Sequence, residues 1–134
     1  MKELLQLLAG PLVFLLEHGR FSIVDSSSGR SFGDASVTLQ SAGVRLELVR
    51  DRSQISIRFQ PALGPADEWF WIGVLRRLLE GDRPGSDELD RGAIEFLRRS
   101  LDNLEDRAAS ADGSAKLVDD LTRARENRAQ ELFG

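Results

Sequence analysis

Alternation of apolar and polar residues is the clearest signal along this chain. From Val44 to Phe59, VRLELVRDRSQISIRF, Val44, Leu46 and Leu48 alternate with Arg45, Glu47 and Val49; after a charged break, Ile55, Ile57 and Phe59 alternate with Ser56, Arg58 and Gln60. A period of two marks half-buried strands. The apolar residues are even-numbered before the break and odd-numbered after it, so antiparallel partners must have numbers with an odd sum. Leu48 opposite Ile55 and Leu46 opposite Ile57 meets that condition and places Asp51 and Arg52 at the tip of a hairpin. A slip of one residue would turn every apolar side chain of one strand into water.

Two shorter alternating runs come before the hairpin. Phe21 and Ile23 alternate with Ser22 and Val24 and lead into the polar loop Asp25 to Asp34, where Gly29 and Gly33 are free to adopt positive φ. Val37 and Leu39 alternate with Ser36, Thr38 and Gln40, and Ser41, Ala42 and Gly43 turn the chain into the hairpin. Four antiparallel strands in a meander follow, with one face on the core and the other toward water or a partner.

The flanks read as helices. MKELLQLLAGPLVFLLEHG is buried and broken near Gly10, with a second short helix from Pro11 to His18 stopped by Gly19. Its Glu3 and the Glu17 to Arg20 stretch do not fit a signal peptide, and it falls short of the roughly 20 apolar residues that span a bilayer. After a connector with Pro61, Gly64 and Pro65, Asp67 is placed to cap a helix through Trp69, Ile72, Leu75 and Leu79, ended by Gly81. Beyond a loop with Pro84, Ser86 or Asp87 caps a helix carrying Leu89, Ala93, Phe96, Leu97, Leu101 and Leu104 on one stripe. Ser110 to Ser114 interrupts the pattern. A last helix from Ala115 carries Leu117, Val118, Leu121 and Ala124, then turns largely charged before Leu132 and Phe133, so its end is weakly held or needs a partner. The expected fold is α+β over residues 1–134 as one domain: an N-terminal helix, a four-stranded antiparallel meander sheet, then two or three helices packed on one sheet face.

Composition narrows the chemistry. The chain has no cysteine, which excludes disulfides, thiolate metal sites and a cysteine nucleophile, and nothing calls for an oxidising compartment. A cytoplasmic location is expected. Arginine outnumbers lysine by 16 to 2, as in proteins from GC-rich bacterial genomes. The net charge of −4 belongs wholly to the C-terminal third, since residues 1–85 hold ten acids and ten bases. Such a surface favours basic partners over phosphate backbones, so neither nucleic acid nor membrane is expected as a partner.

Candidate catalytic groups are few. His18 is the lone histidine and stands at a helix end, where a cation is favoured by the dipole. Asp25 and Asp34 flank a serine- and glycine-rich loop, but their spacing matches no calcium loop, and the stretch lacks the GK[ST] ending of a phosphate loop. No catalytic residue, metal or cofactor is assigned. The polar sheet face is the more informative feature, carrying Ser36, Thr38 and Gln40, then Arg45, Glu47 and Val49, then Ser56, Arg58 and Gln60. In the expected register Arg45 opposes Arg58, with Glu47 nearby to neutralise them. Of Trp69, Phe70 and Trp71, three successive aromatics, not all can face inward on one helix. Arg45, Glu47, Arg50, Asp51, Arg52, Arg58 and Trp69 are the candidate partner-binding residues.

The segment from Phe21 to Pro61 with the tryptophan-bearing helix resembles a group of small uncharacterised bacterial α+β proteins in which a strand, an FG turn, a VRDR turn and a further strand recur. Here these are Phe32 and Gly33, then Val49, Arg50, Asp51 and Arg52, within residues 20–80. Small acidic proteins of this make-up are similar to toxin-immunity proteins, and that resemblance implies a protein partner, such as a basic toxin, but no residue-level role. Two functions follow as expectations: a non-catalytic binding module of immunity or adaptor type, or a small enzyme or ligand-binding protein using Asp25, Asp34, Glu47 or Arg58 in a pocket between sheet and helices. Homodimerisation through the last helix is a further option.

Overall fold

In a computed structural model, which describes residues 1–28, 34–64, 67–81 and 87–133 apart from the side chains of residues 132 and 133, the alternating runs form an antiparallel meander. Its strands β1 (Ser22–Ser28), β2 (Ala35–Gln40), β3 (Val44–Asp51), β4 (Gln54–Pro61) and β5 (Phe70–Trp71) pair strictly in chain order. The four-stranded meander is thus present and gains a two-residue fifth strand. The fold is α+β, with the N-terminal helix and the C-terminal helices around the sheet. The Phe32–Gly33 turn, Gly29, Pro65, Pro84 and Ser86 lie outside the described residues.

The parity rule holds while the hairpin register differs by two. Leu48 pairs with Ile57 and Leu46 with Phe59, and the last pair before the turn is Asp51 with Gln54. The tip is therefore Arg52 and Ser53, not Asp51 and Arg52. A shift of two preserves both faces, lets Gln60 and Pro61 join the ladder, and sets Phe59 beside Phe70 with ring centroids 6.1 Å apart. The tight turn needs a positive φ, which Arg52 adopts at 59°. Its backbone N–H is held by Asp34 Oδ1 at 3.3 Å. The new register also removes the expected clash: Arg45 faces Gln60, and Glu47 faces Arg58.

Helix boundaries moved where local patterns had competitors. Helix α1 (Lys2–Ala9) ends at Gly10 as expected, but residues after Pro11 form two 3-10 turns, Val13–Leu15 and Glu17–Gly19, instead of an α-helix to His18. Leu12 and Leu15, three apart, are both fully buried this way. Helix α2 (Ile72–Glu80) starts later than its apolar spacing suggested, because Phe70 and Trp71 are strand. Asp67 is not its cap; Asp87, distant in sequence, accepts the Gly73 N–H at 3.1 Å. Helix α3 (Arg91–Arg107) is capped by Asp90, whose Oδ1 accepts the Ala93 N–H at 2.8 Å, in place of Asp87.

Helix α4 (Ala111–Phe133) begins inside the segment expected to be a break. Ser110 Oγ accepts the Gly113 N–H, and a Cβ on Gly113 would sit 2.5 Å from the Arg107 carbonyl oxygen. Glycine here is a steric requirement of the α3–α4 corner, not a helix stop. The charged end of α4 is tied down within the chain: Arg77 grips Glu131 at 2.6 Å, Arg128 grips Asp87 at 3.0 Å, and Arg125 lies 3.5 Å from Glu68.

A single buried cluster joins these parts. Val37, Leu39, Leu46, Leu48, Ile57 and Phe59 from the inner sheet face meet Leu4 and Leu8 of α1, Phe96, Leu97, Leu101 and Leu104 of α3, and Leu117 and Leu121 of α4. No helix among the described residues is long and apolar enough to cross a membrane.

Candidate functional site

Strands that bury alternate residues expose the others in rows, and the register fixes who meets whom. One row runs across all five strands: Asp25, Thr38, Glu47, Arg58 and Trp71. A second holds Gln40, Arg45 and Gln60. Such cross-strand neighbours are the unit of sheet stabilisation.

The first row centres on Arg58. Its Nε donates to Glu47 Oε1 at 2.7 Å and its Nη2 lies 2.6 Å from the same oxygen, while Thr38 Oγ1 donates to Glu47 Oε2 at 3.4 Å. The guanidinium also sits 4.9 Å from the ring centre of Trp69 and 5.6 Å from that of Trp71. The aromatic run explains this. In extended chain, successive side chains alternate, so Phe70 goes fully into the core while Trp69 and Trp71 share the outer side and embrace Arg58. Each cation–π contact of this partly exposed kind is worth about 0.5–1 kcal/mol.

The second row closes one end of the face. Arg45 Nε donates to Gln40 Oε1 at 3.0 Å and its Nη1 to Gln60 Oε1 at 3.1 Å, and Gln60 Nε2 donates to the Glu68 carbonyl at 3.2 Å. Gln60 is only 1% exposed, although it was expected on the open surface. The Glu68 backbone lies against it.

The other end stays open as a groove of about 700 Å³. Ser36, Val49 and Ser56 form part of its floor, Glu47, Arg58 and Trp71 one side, and Asp51, Gln54, Asp87 and Glu88 the rest. Asp87 and Glu88 precede α3 and lie beside β4: Ser56 and Glu88 form an antiparallel bridge, and the Leu89 N–H donates to the Ile55 carbonyl at 2.7 Å. Asp87 is fixed there by Arg128 through both carboxylate oxygens, at 3.0 and 3.1 Å.

The residues singled out from sequence divide into three sets. Arg45, Glu47, Arg58 and Trp69 come together on the outer face. Asp51 lines the groove and Arg52 stands at the exposed turn beside it. Arg50 does not belong: it falls on the opposite parity, pairs across the ladder with Ile55, and its Nε lies 2.5 Å from Glu3 of α1. Trp71 was legible in principle, had the aromatic run been read with a strand's period. Asp87 and Glu88 carried no local signal, since only the tertiary path of their loop brings them here.

No family model, curated protein or solved structure matches this chain. Asp25 accepts the neighbouring Ser26 N–H at 2.8 Å and Asp34 holds the Arg52 turn, so neither lines the groove with Glu47 and Arg58. Among the described residues no group of three or more histidine, cysteine, aspartate or glutamate side chains is arranged to hold a metal ion.

Proposed function

We propose that this chain is a non-catalytic protein-binding module, an immunity-type neutraliser or adaptor of the cytoplasm, that acts by contact through the outer face of its sheet. The observation that carries this reading is Trp71, 37% exposed at the groove on the outer sheet face and packed against a pre-oriented arginine. Tryptophan and arginine are the residue types enriched in interface hot spots. Arg58 is already held by Glu47 and two rings, so little side-chain freedom remains to be lost on binding.

Size supports the inclusion of the hairpin tip. The open floor is about three strand spacings by five residues, roughly 14 by 17 Å, whereas a stable interface takes about 800 Å² from each partner. Asp51, Arg52 and the Asp87–Glu88 wall adjoin this floor and enlarge the surface open to a partner.

A second reading, a small enzyme or ligand-binding protein, is favoured by one observation: Glu47 and Arg58 do share a concave groove within the volume range of small-molecule sites. The two readings separate in one experiment. The chain is coexpressed with the products of its neighbouring genes and complexes are isolated from wild type, Trp71→Ala and Arg58→Ala. A stable complex with a protein, lost in both variants while folding is kept, is expected. Absence of any stable protein complex, with a small metabolite retained by the wild type and released by Arg58→Ala, would replace this proposal with the second reading.

A further inference from the structure

We infer that the partner is met by strand addition: an extended segment of a partner protein pairs with the free edge of β1 and continues the sheet beyond it. This rests on the protein-contact reading above for the existence of a partner and adds how that partner is held.

The direction of each backbone group in the sheet follows from its turns. Opposing residues of an antiparallel pair alternate between those that exchange hydrogen bonds and those that do not. The Ser41 N–H donates to the Val44 carbonyl at 2.9 Å, so Leu39 and Val37 bond to Leu46 and Leu48 of β3. Thr38 and Ser36 then turn the other way, to Asp25 and Ser27 of β1. That leaves Ser26 and Ser28 with their N–H and C=O groups pointing off the sheet. The side chains agree: the Ser26 N–H is taken by the neighbouring carboxylate, Asp25 Oδ1, at 2.8 Å. Among the described residues, the other outward backbone groups of Ser26 and Ser28 have no hydrogen-bond partner.

The opposite edge is closed by the chain itself. On β4 the same alternation turns Ile55 and Phe59 outward, and both are met, Ile55 by the Leu89 N–H at 2.7 Å and Phe59 by Phe70 of β5. Strand β1, seven residues long, is exposed along its whole length. Natural edges are shielded by lysine, proline, a bulge or a cover. β1 has no lysine, arginine or proline, and its bulge stands between Ile23 and Asp25, so the half from Asp25 to Ser28 is regular. Three serines there put little bulk in the way of an approaching strand. At the other half Ile23 and Val24 are 48% and 54% exposed, a resting place for one apolar side chain of the segment. Asp25 is a stand-in: its carboxylate holds the position that a neighbouring strand's carbonyl oxygen would take.

Area decides between a segment of another protein and a second copy. Two β1 edges paired across a two-fold would meet along seven residues, a strip of roughly 23 by 10 Å. That is well below the roughly 800 Å² that each side of a stable dimer contributes. A different protein is not confined to the strip. Asp25 opens the row that crosses the outer face through Thr38, Glu47 and Arg58 to Trp71, so a partner that adds a strand to β1 reaches that face without a break. In such a mode main-chain hydrogen bonds give affinity and alternate side chains give specificity.

The intact protein is titrated with an octapeptide of alternating valine and threonine and, separately, with the same peptide N-methylated at every residue. Amide hydrogen exchange is followed by NMR. In the free protein Ser26 and Ser28 should exchange faster than Asp25 and Ser27. With the unmethylated peptide at ten times its dissociation constant, Ser26 and Ser28 should slow about tenfold, and the methylated peptide should do nothing. Ser26→Pro removes an outward N–H at an edge, where proline is tolerated. It should abolish binding with a urea midpoint near wild type, whereas Ser27→Pro deletes a ladder donor and should lower the midpoint. Asp25→Ala frees the Ser26 N–H and should tighten binding about two- to tenfold, the net contribution of one hydrogen bond. Val24→Lys, at an exposed position, places a shielding lysine on the edge and keeps the test valid if Ser26→Pro folds poorly.

No slowing at Ser26 and Ser28, equal slowing by the methylated peptide, or unchanged affinity in Ser26→Pro or Val24→Lys would overturn the inference. So would a dimer in light scattering that Ser26→Pro abolishes, since the occupant would then be a second copy. The two readings fail separately. If a native protein complex survives Ser26→Pro but is lost with Trp71→Ala, the contact surface stands and strand addition falls. If the peptide slows Ser26 and Ser28 while no native protein complex forms, the edge pairs as inferred and the contact reading falls.

Discussion

The two faces of this sheet are built by alternate residues of the same strands and have opposite fates. Along β3, Val44, Leu46 and Leu48 are sealed in the core, while Arg45, Glu47 and Val49, each one residue away, remain half-buried on the other side. The inner face has apolar contacts without direction, so helices of suitable pattern suffice to cover it. The outer face is held by directional contacts instead: Thr38 to Glu47, Glu47 to Arg58, Arg58 to the two indoles. The difference teaches that order on the outer face does not depend on being covered. It is already arranged in the free chain, as a contact surface should be if binding is to cost little ordering.

The comparison breaks most easily from the inside. Leu48→Ala should destabilise the fold by about 2–5 kcal/mol, the range for deleting a buried leucine side chain, measured as a fall in urea midpoint with an unchanged slope. Arg58→Ala, on the other face of the sheet, should cost less, about 1–3 kcal/mol from two cation–π contacts and the ion pair, but should alter tryptophan emission strongly. If Arg58→Ala proved as damaging as Leu48→Ala, the outer face would be part of the structural core and the division between faces would fail. A sharper version is a double-mutant cycle of Glu47→Gln with Arg58→Gln. A coupling of about 1 kcal/mol is expected for a partly buried pair; zero would mean that the indoles alone position the arginine. Asp51→Asn should leave stability within about 0.5 kcal/mol, the usual range for surface substitutions, so any effect on binding can be read without a folding correction.

The sheet's faces were legible in the sequence because period two is a strictly local property. Every residue from Ser36 to Gln60 expected on the outer side has that parity, and the odd-sum rule for the hairpin held even though the register shifted by two. What local pattern could not supply was competition between segments. Gln60 and Pro61 join the ladder in the observed register, and Phe70 and Trp71 pair with β4 instead of coiling, an extended arrangement that sends Phe70 to the core and Trp71 to the side of Arg58. Arg50 was misplaced by its neighbourhood: it sits in a charged turn sequence, yet its parity sends it toward Glu3 of α1. Gly113 was read as a helix breaker for its composition, whereas the close Arg107 carbonyl is what demands it. The acidic half of the groove was invisible, since Asp87 and Glu88 reach it only by lying beside β4.

The smallest effect should come from the end of α4, where Arg128 holds the groove wall residue Asp87 and Arg77 holds Glu131 one turn further on. The paired hydrogen bonds from Arg77 hold the Glu131 carboxyl below its ordinary value. A depressed carboxylate contributes stability above its unfolded pKa, about 4.3, and loses that contribution as pH falls through the lower folded value. Wild type should therefore lose slightly more stability than Glu131→Gln on acidification through that window, with the two curves parallel at neutral pH. Arg20 makes a useful contrast: the hydrogen bonds it donates to Glu105 raise its pKa beyond the ordinary arginine value, so its own titration contributes nothing to the acid window and would matter only at extreme alkalinity. Hydrogen exchange in the last turns of α4 should quicken in Glu131→Gln while the β3 and β4 amides stay protected. If the β3 and β4 amides quickened as well, the C-terminal helix would be bracing the whole sheet, and the outer face would owe its order to α4 and not to the rows of side chains on its own strands.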